Sequence, residues 1–412
     1  MHPSQIAAAD YSYSLPEEKI AFHPAAQRDG SRLLIYKNGR ITDSYFSQVA
    51  EQIPAGTLLV FNDTKVIEAR LLFEKSTGST IELFCLAPAE KYPDITTGLA
   101  QCGQVQWQCL VGGASKWKPG SILEKKIKHD AEEITIRAAM HSKGSGYFVI
   151  DFSWQPALLS FAEILHLAGA MPLPPYIRRK AADIDSERYQ TIFARQEGSV
   201  AAPTASLHFT PGILSSFTEK KIATAFLTLH VGAGTFKPVK SETMAGHDMH
   251  SEYFDVPVSA IEQLIKQEGN PIIAVGTTAL RTIESLYWAG VKLIKEDGGK
   301  NVPQMLHTGQ WEPYEQNTDI PATDALQALL QWMKERKMRR LTGQTQLLIA
   351  PGYRFRFADA LITNFHQPQS TLLLLVAALT GPDWKKIYAH ALQQDYRFLS
   401  YGDSSLLWRG ER

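Results

Sequence analysis

The sequence predicts an α/β fold interrupted by an inserted, antiparallel β domain, and three observations predict it. At 412 residues the chain exceeds what one hydrophobic core usually organises, so two domains, or one domain with a large insertion, are expected. In the second half of the chain, strand-like apolar runs repeatedly give way to a polar loop and then a helix-like run, the alternation of α/β proteins. Between residues 68 and 155 that pattern is replaced by short alternating segments with turn residues between them, spaced as in a small barrel or sandwich.

Taken in order, residues 57–63 (TLLVFND) form a buried strand. The segments LLFEK, TIELFCLA, VQWQCLV, EITIRAA and GYFVIDF then make up the inserted domain, separated by STGS, GGASKWKPGS and HSKGSG. The domains expected are therefore an α/β domain over 1–67 and 156–412 and an inserted β domain over 68–155. An apolar helix from Leu158 (LLSFAEILHLAG) leads into PLPPYIRR, whose prolines cannot continue it. The α/β pattern resumes with AFLTLHVGAG, IIAVGTTALRTIESLYW and ALITNFHQPQSTLLLLVAAL. Residues 292–322 read as a long polar surface loop, followed by an amphipathic helix from Thr323 to Arg340.

Composition narrows the class. A hydrophobic share of 44% and a charged share of 20% are ordinary for a folded domain. A formal net charge of zero argues against binding nucleic acid through a global positive field, though a local basic stripe would still serve. Cys85, Cys102 and Cys109 form an odd set without C-x-x-C spacing, which suits a reduced cytosol and suggests neither a disulfide framework nor a zinc site. The N-terminal residues lack the pattern of a signal peptide. The longest apolar run, Leu372 to Leu379, is far below the roughly 20 residues that span a bilayer and reads as a buried helix. A cytoplasmic location without membrane contact is expected.

Several motifs offer chemistry. HVGAGTF follows a strand, and its glycines would let backbone N–H groups approach a ligand closely. It lacks the third glycine and the helix of a dinucleotide fingerprint, and a plain strand-exit turn explains it equally well. AVGTTALRTIESL places Thr277 or Thr278 at a helix N-cap, where free N–H groups suit a carboxylate or a ribose hydroxyl. TNFHQPQST puts Asn364, His366, Ser370 and Thr371 between a strand and the most apolar helix; Ser370 could cap that helix, and His366 is a candidate acid or base. His208 and His230 lie in polar breaks between apolar runs. His247, His250 and Glu252 resemble metal ligands at first sight, but their spacing is not that of H-E-x-x-H, and no metal is expected. FNDTK offers Asn62, Asp63, Thr64 and Lys65 where the chain leaves its strand, as an Asx-type turn also would. KERKMRR carries five basic residues against one acid, suited either to phosphate or to a solvated helix end. There is no G-x-S-x-G elbow or P-loop.

The ordered set LPEEKIAFHPAAQRDGSRLL, LLVFNDTKVIEARL, PLPPYIRR, ERYQTIFA, GSVAAPTASLHF, TLHVGAGTFKPV, HDMHSEYF, AVGTTALRTIES, APGYRFRFADALITNFHQPQSTLL and YRFLSYGD resembles the S-adenosylmethionine:tRNA ribosyltransferase-isomerase family, from about Tyr11 to Leu407. The resemblance implies a larger α/β domain with an inserted small antiparallel β-barrel domain and an active site in the cleft between them. It implies a reaction in which S-adenosylmethionine and 7-aminomethyl-7-deazaguanine at the tRNA wobble position give epoxyqueuosine, adenine and methionine. No cofactor is implied beyond S-adenosylmethionine, which is consumed as substrate, and a monomer is expected.

Given that reaction, the sulfonium acidifies the hydrogens on the adjacent ribose C5′, adenine leaves most readily with a protonated ring nitrogen, and the tRNA amine must be kept neutral. Positioned side chains suit such proton transfers, and His208, His230, His366 and Asp403 are the candidates. Asn62, Asp63, Thr64, Gly232, Gly234, Thr235, Thr277, Thr278, Asn364 and Ser370 are the candidate substrate-binding residues. Arg178, Arg179, Lys334, Arg336, Lys337, Arg339 and Arg340 are candidates for tRNA phosphates. The sequence departs from the family pattern at Lys65, Ser206, Gln367 and Gln369, and the 292–340 stretch reads as an insertion. A paralogue acting on another nucleoside or RNA acceptor, and a catalytically silent RNA-binding module, are the alternatives.

Overall fold

The computed structural model describes residues 2–75, 78–118, 120–129, 132–232, 234, 239, 241–267, 269–296, 303, 305–316 and 318–410. By compactness the chain forms two units, one of Met1–Asp63, Thr191–Phe193 and Pro203–Arg412, the other of Thr64–Gln190 and Ala194–Ala202.

The first unit is built on a mixed sheet of ten strands. Its middle consists of four mutually parallel strands, Ala223–Leu229, Leu58–Asn62, Ile272–Val275 and Ala360–Asn364, side by side in that order. Antiparallel strands flank them, Glu252–Pro257 on one side and Ser404–Trp408 on the other. Every residue of Leu58–Asn62, Ile272–Val275 and Ala360–Asn364 is buried, because a parallel sheet is covered on both faces and its strands therefore read as continuous apolar runs. Phe46, Phe61, Phe209, Phe217, Ile273 and Ile362 belong to one core cluster on this sheet.

The helix Thr277–Lys295 is buried along most of its length. Helix Ala322–Glu335 packs closely on it at Gly290, where a Cβ would lie 2.1 Å from the Ala325 carbonyl oxygen, so no larger residue fits. Residues Thr371–Thr380 form the buried helix expected from their apolar run, with Ser370 as its N-cap accepting from the Leu373 N–H at 3.2 Å. No helix among the described residues is long and apolar enough to cross a membrane.

The second unit is a curled antiparallel sheet in the order Gly169–Ala170, Arg70–Glu74, Thr80–Pro88, Gln104–Gly112, Phe148–Gln155, Glu132–Lys143, Leu123–His129. Among the described residues no ladder joins the last strand to Arg70–Glu74. Leu123–His129 (LEKKIKH) is a strand that the alternation does not announce, because Lys125 stands on the inner face between Leu123 and Ile127 and breaks the apolar period of two. The unit reaches beyond the expected boundary at 155. Helix Phe161–Ala168, held by a Ser160–Glu163 capping box, packs Phe161 against Trp107 at 4.9 Å and Phe152 at 5.3 Å. It therefore shares the β unit's core, and Arg178 and Arg179 go with it.

Two further expectations are corrected. The helix expected over Thr323–Arg340 ends at Glu335; Lys337 is left-handed (φ 54°) and Arg340 opens a strand, Arg340–Thr345. The loop expected over 292–322 contains the end of helix Thr277–Lys295, the strand Leu306–Thr308 and a short helix Glu312–Glu315.

Candidate functional site

Parallel strands deliver their carboxyl ends to one edge of a sheet, where ligands collect in open α/β folds. The four central strands do this with Asn62 and Asp63, His230, Thr277 and Thr278, and Asn364 and His366. The antiparallel neighbours begin at the same edge, bringing Glu252 and Asp403 to it: Leu229 pairs with Phe254, and Asn364 with Ser404.

Asn62 is fully buried and joins two of these strands. Its side-chain nitrogen donates to the Leu229 carbonyl at 2.9 Å and to the Thr278 hydroxyl at 3.3 Å, while its oxygen accepts from the Leu229 N–H at 3.0 Å. Asp63 accepts from the Thr228 hydroxyl at 2.7 Å. Thr64 and Lys65 belong to the second unit, where Thr64 donates to the Gln196 carbonyl at 3.4 Å and Lys65 pairs with Glu197 at 2.7 Å.

A second network centres on Asn364. Its oxygen accepts from the Thr204 hydroxyl at 2.9 Å, and its nitrogen donates to His208 Nε2 at 3.3 Å and to the Asp403 carbonyl at 3.4 Å. His208 is 5% exposed, and its Nδ1 is bonded to the Ser31 hydroxyl at 2.9 Å. With Nε2 accepting, Nδ1 carries the proton, so both ring nitrogens are used. Asp403 accepts from the backbone N–H of Arg32 at 3.0 Å and of Arg397 at 2.8 Å. His208 and the Asp403 backbone carbonyl thus both bond the Asn364 side chain, while the Asp403 carboxylate holds the backbone at Arg32 and Arg397.

His366 differs. Its Nε2 is bonded to the Thr363 hydroxyl at 2.9 Å, its backbone N–H donates to the Tyr388 hydroxyl at 3.1 Å, and its carbonyl accepts from Tyr13. Its ring is partly accessible, and Nδ1 makes no hydrogen bond among the described residues. Burial pushes its pKa down to about 3, and that of His208 to about 4.

Both histidines are therefore neutral at neutral pH, and the sign of the linkage follows. The unfolded chain, with a histidine value of 6.5, binds protons that the folded chain refuses, so stability present above pH 6.5 is lost as pH falls towards 4. At pH 5, His208 alone is expected to account for about 2 kcal/mol of lost stability. Urea unfolding at pH 7 and pH 5 on the wild type and His208→Gln checks this; an equal loss in both would contradict it.

Thr277 and Thr278 do not cap their helix. The N-cap is Gly276, at φ 89°, a conformation that a side chain would strain. Instead, Thr277 and Thr278 line a pocket with Gly234, Glu252, Arg281 and Thr371. Gly234 is required there, since a Cβ would lie 1.8 Å from His250. Gly232 donates its N–H to Glu252 at 3.3 Å. Thr235 lies outside the described residues. Glu252 and Arg281 form a buried ion pair. The sequence reading missed Arg281 as a site residue, although its position one turn after Thr277 puts both on one helix face.

The basic candidates divide. Arg179 makes a two-pronged pair with buried Asp185 at 2.6 and 2.8 Å, and Arg340 pairs with Asp255 at 2.5 Å; both serve as internal partners. Arg178, Lys334, Arg336, Lys337 and Arg339 are exposed, with Arg336 over the Trp332 ring at 4.5 Å. Among the described residues no group of three or more His, Cys, Asp or Glu could hold a metal ion.

The fold and this edge define an α/β protein that gathers polar groups at the carboxyl ends of its parallel strands. Residues 8–407 match the model of a family described as queuosine biosynthesis protein. The S-adenosylmethionine:tRNA ribosyltransferase-isomerase of Dechloromonas aromatica (strain RCB) is 38% identical over 97% of this chain and 96% of its own. The enzyme of the same name from Azoarcus sp. (strain BH72) is 36% identical over 98% and 99%. A solved structure of S-adenosylmethionine tRNA ribosyltransferase from Thermotoga maritima is 27% identical, covers 97% of this chain and 99% of its own, and has a TM-score of 0.45. The chain belongs to the queuosine biosynthesis protein family.

Proposed function

We propose that this chain transfers and isomerises the ribosyl group of S-adenosylmethionine onto 7-aminomethyl-7-deazaguanine at the wobble position of tRNA, giving epoxyqueuosine, adenine and methionine. The reading rests on membership of the family and on full-length similarity to relatives bearing that enzyme's name. The observation that carries it to a site is the sheet edge where Asn62, Thr278, Asn364 and His366 meet at the ends of adjacent strands. S-adenosylmethionine is consumed, and no further cofactor is invoked. The chain works in the cytoplasm as a monomer, with the curled sheet as an inserted barrel domain.

In this reading His366 takes part in proton transfer or polarises the leaving base, while His208 and Asp403 hold Asn364 in place. His230 remains a candidate proton carrier. Arg178, Lys334, Arg336, Lys337 and Arg339 meet tRNA phosphates, so their loss weakens binding across sequences and flattens its salt dependence.

The test is incubation with S-adenosylmethionine and tRNA carrying the aminomethyl-deazaguanine, followed by mass spectrometry of nucleosides and small products. Epoxyqueuosine with equimolar adenine and methionine is expected. Release of S-adenosylhomocysteine, or no product from folded protein that binds both substrates, overturns the assignment.

A further inference from the structure

The pocket containing Arg281 offers more than the sheet edge requires. The Arg281 side chain is only 9% exposed, and that of its partner Glu252 4%. The guanidinium uses Nη1 on Glu252 and Nε on the Leu347 carbonyl at 3.1 Å, while Nη2 is buried without a hydrogen-bond partner among the described residues. A buried charged donor left unpaired is costly, and it calls for an acceptor that the described residues do not supply. Thr277 and Thr278, the first residues of helix Thr277–Lys295, line the same pocket, and a helix N-terminus, whose first N–H groups have no partner within the helix, also favours an anion. Leu347, Leu372 and Leu375 add apolar surface to the pocket's lining.

Positive and negative groups held side by side, with apolar surface in the same pocket, match the two charges and the carbon chain of a free amino acid. We propose that this pocket binds the α-amino-carboxylate end of an amino-acid-bearing substrate, with Arg281 Nη2 taking the carboxylate and Glu252 the ammonium. Resting on the reading above, the occupant is the methionyl end of S-adenosylmethionine, its two methylene groups lying on the leucines. The subsite anchors the part of the donor that leaves as methionine, and it fixes the sulfonium relative to the sheet edge.

The test measures calorimetric affinities of the intact chain for S-adenosylmethionine, for its decarboxylated analogue and for L-methionine. The wild type is compared with Arg281→Lys and with the double variant Arg281→Met/Glu252→Leu, which leaves no buried charge unpaired. The wild type is expected to favour S-adenosylmethionine over the decarboxylated analogue by about 10- to 100-fold. Both variants are expected to close most of that gap. Equal wild-type affinity for the two, or a gap that persists when Arg281 is changed, overturns the proposal. If the double variant fails to fold, Arg281→Lys and the wild-type comparison still decide. Arg281-dependent binding of L-methionine without any binding of S-adenosylmethionine would overturn the donor reading and leave the amino-acid subsite standing; binding of none of the three overturns both.

Discussion

Replacing His366 with alanine is expected to lower kcat by about 10²–10³-fold, with a much smaller change in the affinity for S-adenosylmethionine. The ring is anchored from three directions, by Thr363 at Nε2, by Tyr388 at its backbone N–H and by Tyr13 at its carbonyl. Only Nδ1 is left for a substrate. Because burial holds the pKa near 3, the working form at neutral pH is the neutral imidazole, able to give or take one hydrogen bond without carrying charge. Single-turnover assays with saturating substrates separate this effect from binding. His208→Gln, which retains a neutral donor and acceptor, is expected to lose far less. If His208→Gln proved as damaging as His366→Ala, the division of the two histidines into support and participant would be wrong.

The largest effect on stability is expected at Glu284. Its carboxylate is fully buried on helix Thr277–Lys295 and accepts from the backbone N–H groups of Arg356 at 2.9 Å, Phe357 at 3.0 Å and Ala358 at 3.2 Å, and from the Tyr353 hydroxyl at 2.9 Å. Burial pushes its pKa up, against the pull of those donors. Glu284→Ala leaves three buried donors and the half-buried Arg356 N–H without this acceptor and is expected to cost about 3–5 kcal/mol. Glu284→Gln is expected to recover much of this, since its one oxygen can still accept from the three backbone N–H groups while its NH2 faces the Tyr353 hydroxyl, which can accept. Urea unfolding would show a lower midpoint at unchanged slope; a loss below about 1 kcal/mol would mean that the loop finds other acceptors. The loop so clamped leads directly into strand Ala360–Asn364, so the same carboxylate steadies the segment that presents Asn364 and His366.

The two histidines also show the limit of reading chemistry from a sequence. In the sequence both His208, in a polar break between apolar runs, and His366, in the loop between a strand and a helix, are candidate proton carriers. Their difference is one of partners: Ser31 and Asn364 come from residues far apart in the chain and occupy both nitrogens of His208. The sequence likewise does not show that the Asp403 carboxylate accepts from the backbone N–H groups of Arg32 and Arg397. The basic run after Glu335 read as one helix because helical spacing and charge both allowed it. The strand pairing of Arg340 with Pro257 overrode that local preference.

What the sequence determined by itself was whatever depends on short-range order. The fully buried strands declared themselves as continuous apolar runs, and Ser370 as a cap by its place before the most apolar helix. The family was legible because many short motifs recur in one order from Tyr11 to Leu407. Only the tertiary structure decided which polar groups face one another. The Arg281–Glu252 pair, the Glu284 clamp and the Asn364 network each join residues separated by at least 29 positions. Such partnerships depend on strand order across the sheet, and local periodicity carries no record of strand order.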